Sequence, residues 1–144
     1  MAERLGLPTV GDVLGPLTIP VSAERVLAYA EASGDHNPLH LDPAFAATTE
    51  FGGPIAHGML LLAYLSRLMG DRFGPAWATS GVLEARFRAP ALVGQAVIAR
   101  GVVGQVLASD GGALVECTLS CTDAAGMPLL TATARLDIAA GVAP

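Results

Sequence analysis

Residues 58–71, GMLLLAYLSRLMGD, constrain the fold of this sequence more than any other stretch. The segment predicts a helix that begins near residues 56–58 and ends at about Asp71. Apolar residues occupy nearly every side of this helix, so most of its surface has to be buried. Helices of this kind lie inside large proteins or are wrapped by a sheet. The chain has 144 residues, the length of one ordinary domain, so we expect a single domain over residues 1–144.

The chain after this helix is rich in strand signals. Candidate strands cover residues 79–88, 95–107, 113–122 and 129–138. SDGG at 109–112 and DAAG at 123–126 are hairpin signals that make their flanking strands antiparallel. An earlier strand near residues 10–19 is expected to join an edge. The sequence therefore predicts an α+β fold, with an antiparallel sheet curled around one helix. Such a sheet leaves an edge or face uncovered, so we expect a dimer.

Two shorter helices are predicted before the main one. Ser22 is a good N-cap for the first, and Gly34 ends it. Asp42 and Pro43 suit the cap and first position of the second, which runs to about Thr49.

Charge and hydropathy exclude several classes of protein. The net charge is −5 and no run of Lys or Arg forms a phosphate-binding face, which argues against nucleic acid as a partner. The longest apolar stretch, residues 58–66, is far below the roughly 20 residues that a membrane span needs. MAER at residues 1–4 leads into Gly6 and Pro8 rather than an apolar signal core. We expect no membrane association and a cytoplasmic location.

The two cysteines, Cys117 and Cys121, lie in one predicted strand. Four steps along a strand span roughly 13 Å. A disulfide requires Cα atoms within about 7 Å. We therefore expect buried free thiols.

Residues 33–42, SGDHNPLHLD, carry the densest group of reactive side chains. Pro38 is expected to prevent a helix here and to bias Asn37 toward an extended conformation. The predicted result is a stiff loop that directs Asp35 and His40 toward one point. A carboxylate and an imidazole together can bind water and move its protons near neutral pH.

Local chemistry leaves alternatives open for this loop. Asp35 can cap the following turn, with both histidines in solvent. His36 and His40 have the i, i+4 spacing of a metal pair, but that spacing converges only within a helix and no third ligand is obvious. We therefore expect no metal. The choice between a cap and an acid/base pair is not decided by these residues alone.

A resemblance bears on that choice. GDHNPLHLDP at residues 34–43 matches without a gap the signature of the MaoC-like (R)-specific enoyl-CoA hydratases, the hydratase 2 family. FAATT at 45–49 and HGMLL at 57–61 are also similar, particularly to the hydratases that feed polyhydroxyalkanoate synthesis. This specific part covers about 45 residues. The strand half resembles the family mainly in pattern, and Gln95 stands where members often have Asp.

The resemblance implies a hot-dog fold and a hydro-lyase that adds water to trans-2-enoyl-CoA to give (3R)-hydroxyacyl-CoA. Asp35 and His40 would hold the attacking water, and Asn37 would support the loop. The Gly58 N–H, at a helix N-terminus with positive potential, would bind the thioester oxygen. Neither a metal nor a redox cofactor is needed.

Further positions are candidates for substrate binding. Leu62, Leu65, Ser66 and Met69 share a helix face with Gly58 and would line the acyl chain. The alternatives are that this face packs on the sheet and that Ser66 bonds back to the Leu62 carbonyl.

Arg86 and Arg88 point to one face of a strand. One of them would meet a CoA phosphate, and the alternative is a solvated strand face. For His57, a structural role is expected, with its ring bonded to backbone near the start of the central helix.

Three rival functions remain. One is dehydration, which the same residues would catalyse on an acyl carrier protein thioester. Another is thioester hydrolysis, because hot-dog folds include thioesterases. The third is a non-catalytic thioester-binding subunit, against which the retention of both Asp35 and His40 argues.

Overall fold

The computed structural model describes residues 6–139. The prediction made on MAER at residues 1–4 therefore lies outside the described residues. The elements in chain order are β1 Val13–Pro20, α1 Ala23–Ser33, α2 Pro38–Leu41, α3 Pro43–Ala47, α4 Gly58–Ser80, β2 Val82–Phe87, β3 Ala96–Ser109, β4 Gly112–Thr122 and β5 Pro128–Ala139.

The strands form one antiparallel sheet in the order β1-β3-β4-β5-β2. The predicted hairpins connect β3 to β4 and β4 to β5, and β1 lies at an edge as predicted. The chain leaves α4 into β2, which pairs with β5 at the opposite edge. Helix α4 contacts all five strands, so the sheet curls around it. The predicted α+β arrangement is confirmed.

The core lies between α4 and the inner face of the sheet. Strand β4 shows the pattern clearly, because its alternate residues from Ala113 to Cys121 are buried. Leu65, Met69 and Phe73 of α4 are fully buried against this face. Full burial of a large apolar side chain contributes about 1.5–3 kcal/mol, so this contact supplies much of the driving force for folding.

The central helix is longer than the sequence indicates. The predicted helix end at about Asp71 is wrong, because the helix continues to Ser80. The strand predicted at 79–88 is present as β2, but its predicted start is wrong, because β2 begins at Val82. Gly74 (φ 49°, ψ −127°) breaks the helix, and Pro75 starts a second segment, as proline can at a first helical position. The indole N–H of Trp77 in this segment donates to the Ser66 hydroxyl at 3.0 Å, tying it to the first segment.

The loop between α1 and α3 is also more helical than predicted. Asn37 is extended (φ −55°, ψ 129°), as expected, but Pro38 opens the single turn α2 instead of preventing a helix. Proline has no N–H to lose at that position, and the Asn37 side chain caps the turn by accepting from the Leu39 N–H at 3.0 Å.

Other local predictions are confirmed. Ser22 accepts from the Arg25 N–H, and Gly34 ends α1 with φ 78°. Asp42 caps α3. Cys117 and Cys121 are buried free thiols. Within residues 6–139, none of the helices combines the length and the hydropathy that a membrane crossing requires.

Candidate active site

Asp35 and His40 lie close together, although His40 belongs to a helical turn that begins after Asp35. Asp35 follows the end of α1, and His40 projects from α2. The carboxylate Oδ2 lies 3.9 Å from the imidazole Nε2. This distance is too long for a direct hydrogen bond, but one water molecule can contact both atoms. The Asp35 side chain is 53% exposed and that of His40 is 11% exposed, so the carboxylate is open to solvent and the imidazole is largely covered.

A backbone contact orients the His40 ring. Its Nδ1 lies 2.7 Å from the Ile55 carbonyl oxygen, which can only accept, so Nδ1 carries the proton and donates. In the neutral ring Nε2 then has a free lone pair on the side of Asp35.

Asn37 supports the loop. Its N–H donates to Asp35 Oδ1 at 3.2 Å, and its Oδ1 accepts from Leu39 N–H at 3.0 Å. The first contact restrains the Asp35 carboxylate, and the second holds the turn that carries His40. The cap interpretation and the acid/base interpretation of Asp35 are therefore compatible, because one oxygen caps and the other faces His40.

Gly58 begins α4, where the first N–H groups of a helix have no intrahelical partner. No group among residues 6–139 accepts a hydrogen bond from the Gly58 N–H. A Cβ at this position would lie 2.8 Å from Cε1 of Phe87, so any larger residue here would have to push that ring aside. The sequence predicted the glycine for close approach of a ligand, and the Phe87 contact adds a reason that the sequence could not show.

Gly58 opens onto a mostly apolar pocket of about 340 Å³. Its lining comes from the segment before α4, from α4 itself and from the end of β2: Phe51, Ile55, Ala56, Gly58, Leu61, Phe87, Arg88, Ala89, Pro90 and Ala91. Ile55 links this pocket to the Asp35–His40 pair, because its carbonyl holds the His40 ring. The pocket has the size and polarity of a small-ligand site.

The predicted acyl-lining face of α4 has mixed surroundings. Leu65 and Met69 are fully buried in the core, and Leu62 is half-buried. Ser66 accepts from Trp77, a partner that neither interpretation of this serine anticipated. Leu61 lines the pocket beside Gly58 and was missed, although its i+3 spacing from Gly58 is the available signal.

Arg86 and Arg88 are both exposed and line a polar groove of about 500 Å³ on the outer face of the sheet. Thr118, Thr131 and Thr133 contribute hydroxyls to it, and Arg88 Nε donates to Thr131 Oγ1 at 3.2 Å. Arg88 also lines the pocket at Gly58, so this residue borders both spaces.

His57 joins the site from the position just before α4. Its ring is 2% exposed and stacks on His40, with ring centroids 3.8 Å apart. The expected bond to backbone is present, but its acceptor is the Asp35 carbonyl in the loop, 2.9 Å from His57 Nε2.

Ligand atoms of Asp35, His40 and His57 lie within 4.8 Å of one another, which raises the question of a metal. The two rings stack at an interplanar angle of 27° with centroids 3.8 Å apart, so an ion in the plane of one ring, where its lone pair lies, would be well outside the plane of the other. Such lone pairs cannot converge on one ion at the roughly 2.0–2.1 Å of a zinc–nitrogen bond. His36 lies apart, 3.3 Å from Glu31. The arrangement suits a bound water better than a metal.

Comparison with known proteins defines the class of this chain. Residues 8–125 match the MaoC like domain, and the chain belongs to that family, whose named relatives are hydratases and dehydratases, that is, hydro-lyases. The predicted family and hot-dog fold are confirmed.

Two relatives and one solved structure show how close the match is. The chain is 35% identical over 103 residues to 3-hydroxybutyryl-CoA dehydratase of Methylorubrum extorquens, covering 72% of this chain and 66% of that protein. It is 47% identical over 77 residues to (R)-specific enoyl-CoA hydratase of Aeromonas caviae, covering 54% and 58%. The structure of the A. caviae (R)-hydratase involved in PHA biosynthesis superposes with a TM-score of 0.80 at 36% identity, over 91% of this chain and 97% of that one. The two sequence matches thus span less than two thirds of each relative's length.

Proposed function

We propose that this protein is an (R)-specific enoyl-CoA hydratase, which adds water reversibly to trans-2-enoyl-CoA and forms (3R)-hydroxyacyl-CoA. The observation that carries the proposal is the 3.9 Å separation of Asp35 Oδ2 and His40 Nε2, beside a pocket that contains the unpartnered Gly58 N–H. The site thus offers a place for one water and, next to it, a donor for one carbonyl oxygen.

The chemistry follows from the free atoms of the pair. A bridging water donates one hydrogen to the Asp35 carboxylate and the other to His40 Nε2, which leaves its oxygen lone pairs free to attack C3. As the C3–O bond forms, the pair takes one proton from the water, and the π electrons move to the thioester oxygen. The pair then returns a proton to C2, so the net change is the addition of one water molecule.

Gly58 stabilises the intermediate in this scheme. The enolate oxygen carries negative charge, and an unpartnered N–H at a helix N-terminus donates to it within the positive end of the helix dipole. Polarisation by the same N–H makes C3 electrophilic before attack.

The rivals are separated by assay. Dehydration of a (3R)-hydroxyacyl thioester uses the same groups, and one of the relatives is named a dehydratase. Rates on CoA and acyl carrier protein thioesters, measured in both directions, distinguish these forms. A thioesterase would release free thiol. A non-catalytic binding subunit would neither hydrate or dehydrate the thioester nor release thiol.

The direct test is hydration of crotonyl-CoA, followed at the enoyl absorbance, with chiral analysis of the product. The proposal predicts loss of the absorbance, (3R)-hydroxybutyryl-CoA as product and no free thiol. Formation of the (3S) product, or thiol release at the rate of substrate loss, would contradict it.

The proposal also assigns Arg86 and Arg88 to the phosphate-bearing carrier. Arg88 lines both the apolar pocket and the polar groove, which places its guanidinium near the carrier of a thioester whose acyl end lies at Gly58. Arg86 and the threonine hydroxyls then supply donors for a phosphate.

Replacing Arg86 and Arg88 by Gln should raise KM for crotonyl-CoA and leave KM for a crotonyl-pantetheine analogue unchanged, because the analogue has no phosphate. Arg100→Gln, an exposed arginine of β3, is the matched control and should change neither. Equal effects of the double change on both substrates would assign these arginines to packing or stability instead.

We further propose that the protein is a homodimer and acts in the cytoplasm, where its two buried free thiols remain reduced. The free edge of β2 supports the dimer, because β2 pairs only with β5 among the described strands and exposes Val82 and Phe87.

A further inference from the structure

His57 occupies the N-cap position of α4, but its side chain does not cap the helix. An N-cap side chain that bonds turns toward the first helical N–H groups, and His57 turns away from them toward the Asp35 loop. The residue is 2% exposed, so this orientation is enclosed by the surrounding side chains.

Two contacts connect the His57 ring to the water-binding pair. Its Nε2 donates to the Asp35 carbonyl at 2.9 Å, and its ring stacks on His40 at 3.8 Å. Tyr29 packs against the same ring at 4.8 Å, tilted by 53°. His57 is also covalently bonded to Gly58. One residue therefore contacts both members of the pair and is bonded directly to Gly58, whose N–H is the proposed oxyanion donor.

We propose that His57 is a positioning residue that sets the spacing between the Asp35–His40 pair and the Gly58 N–H. This inference rests on the proposed hydration. The water oxygen must reach C3 of the substrate while the Gly58 N–H holds the carbonyl oxygen on C1. The distance between the bound water and the Gly58 N–H must therefore match the distance between those two substrate atoms. A misplacement of about 1 Å can lower a rate by about 10²-fold.

His57 Nδ1 makes no hydrogen bond to the described residues, which indicates that a histidine at this position is not explained by stability alone. The Asp35 carbonyl only accepts, so Nε2 carries the proton and Nδ1 carries a lone pair. Nδ1 is buried and has no hydrogen-bond partner among residues 6–139. A buried acceptor without a partner costs stability. A phenylalanine would keep the stacked ring without that cost, but it could not donate to Asp35.

The test compares His57→Phe, which keeps the ring and loses the donor, with His57→Gln, whose side-chain amide can replace the Nε2 donor. His36→Phe, in the same loop but exposed and paired only with Glu31, is the matched control. Each variant is assayed for kcat and KM on crotonyl-CoA and for thermal unfolding.

We expect His57→Phe to lower kcat by about 10–100-fold, to change KM by less than about 2-fold and to unfold near the wild-type temperature. His57→Gln should recover part of kcat, and His36→Phe should behave as wild type. A His57→Phe variant with wild-type kcat, or one whose kcat loss matches a loss of folded protein, overturns the inference.

A second readout does not depend on activity. Imidazole ¹⁵N shifts of His40 should differ between the wild type and His57→Phe, because loss of the donor to the Asp35 carbonyl releases the loop and changes the distance from the Asp35 carboxylate to His40 Nε2. His57→Gln should move the shifts back toward the wild-type values. If the wild type hydrates no enoyl-CoA, the proposed function fails, yet this measurement still tests the positioning. An unchanged His40 spectrum in His57→Phe refutes the positioning by itself.

Discussion

Asp35 and His40 approach each other from the two sides of Pro38 and differ in exposure. The carboxylate is 53% exposed and open to solvent, whereas the imidazole is 11% exposed and held by Ile55. A half-exposed base can exchange protons with water, and a covered, oriented ring keeps its lone pair aimed at one point. The two residues therefore suit different parts of one proton-transfer step.

Loss of either group should remove most of the activity. Asp35→Asn and His40→Ala should each lower the hydration rate by about 10²–10⁴-fold, because positioned acid/base groups contribute that much. Asp35→Asn should lose little stability because the side chain is exposed, whereas His40→Ala also loses the bond to Ile55 and the stack on His57, so its rate is compared per folded protein. Crotonyl-CoA kinetics and thermal unfolding check this, with His36→Ala as control. Near-wild-type turnover in either variant would remove the mechanism.

The cysteines should affect alkaline stability rather than catalysis. Burial raises the pKa of the Cys117 thiol to about 11 and that of Cys121 to about 12, from 9.0. In the unfolded chain the thiols ionise first, so their contribution is complete below pH 9 and is lost as pH rises from 9 toward 12. Denaturant unfolding between pH 8 and pH 11 should show this loss, and the Cys117→Ala/Cys121→Ala double variant should show less of it. Rapid reaction of the native thiols with a thiol reagent at pH 8 would contradict the burial.

At the scale of the element, α4 has two functions in one helix. Its first residue, Gly58, presents the free N–H, and its length carries the core against all five strands. The break at Gly74 and Pro75 separates this helix from a short second segment, which Trp77 fastens to Ser66. The end of α4 that presents this N–H is thus held in place by the packing of the whole element.

Truncation on α4 decides whether the acyl chain runs along the helix. Leu65→Ala and Met69→Ala should each cost about 2–5 kcal/mol of unfolding free energy, because both side chains are fully buried. Leu68→Ala, also on α4 and 5% exposed, is the control for stability. The ratio of turnover on eight-carbon and four-carbon enoyl-CoA is measured in all three. If the ratio rises in Leu65→Ala and Met69→Ala but not in Leu68→Ala, the acyl chain runs along this face of α4. An unchanged ratio rules out that path for the acyl chain and does not affect the proposed Asp35–His40 chemistry.

At the scale of the whole molecule, the sheet order places the site near an edge. Strand β2 is the outermost strand beside β5, and its last residue, Phe87, covers Gly58. A second copy that pairs along β2 would therefore border the pocket as well as cover unpaired backbone groups.

The proposed dimer interface can be tested by charge. Val82→Glu on β2 should shift the protein toward monomer in light-scattering measurements of mass, because a carboxylate in a strand–strand interface would be desolvated. Val102→Glu is the matched control, an exposed valine of the interior strand β3. A monomeric wild type, or a dimer unaffected by Val82→Glu, would exclude β2 as the interface.

Sequence reasoning found much of the candidate site because its signals are local. Asp35, Asn37 and His40 lie in one short motif, and Gly58 was identifiable as the start of an apolar helix. The sequence analysis missed Leu61 and the contact of Phe87 with Gly58. It also placed the backbone bond of His57 near the start of the helix, whereas the acceptor is the Asp35 carbonyl. The His57 bond spans 22 positions in sequence, and no spacing rule connects residues so far apart.

The sequence by itself determined the features that depend on neighbours along the chain. The caps at Ser22 and Asp42, the turn at Gly34 and the alternation of β4 follow from backbone hydrogen bonding and side-chain period within a few residues. Only the tertiary structure decided where α4 ends, what Ser66 bonds and how far Asp35 lies from His40. These features depend on contacts with Trp77, Ile55 and His57, which exist only in the folded molecule. The free energy of such tertiary contacts exceeds the local conformational preferences of the chain.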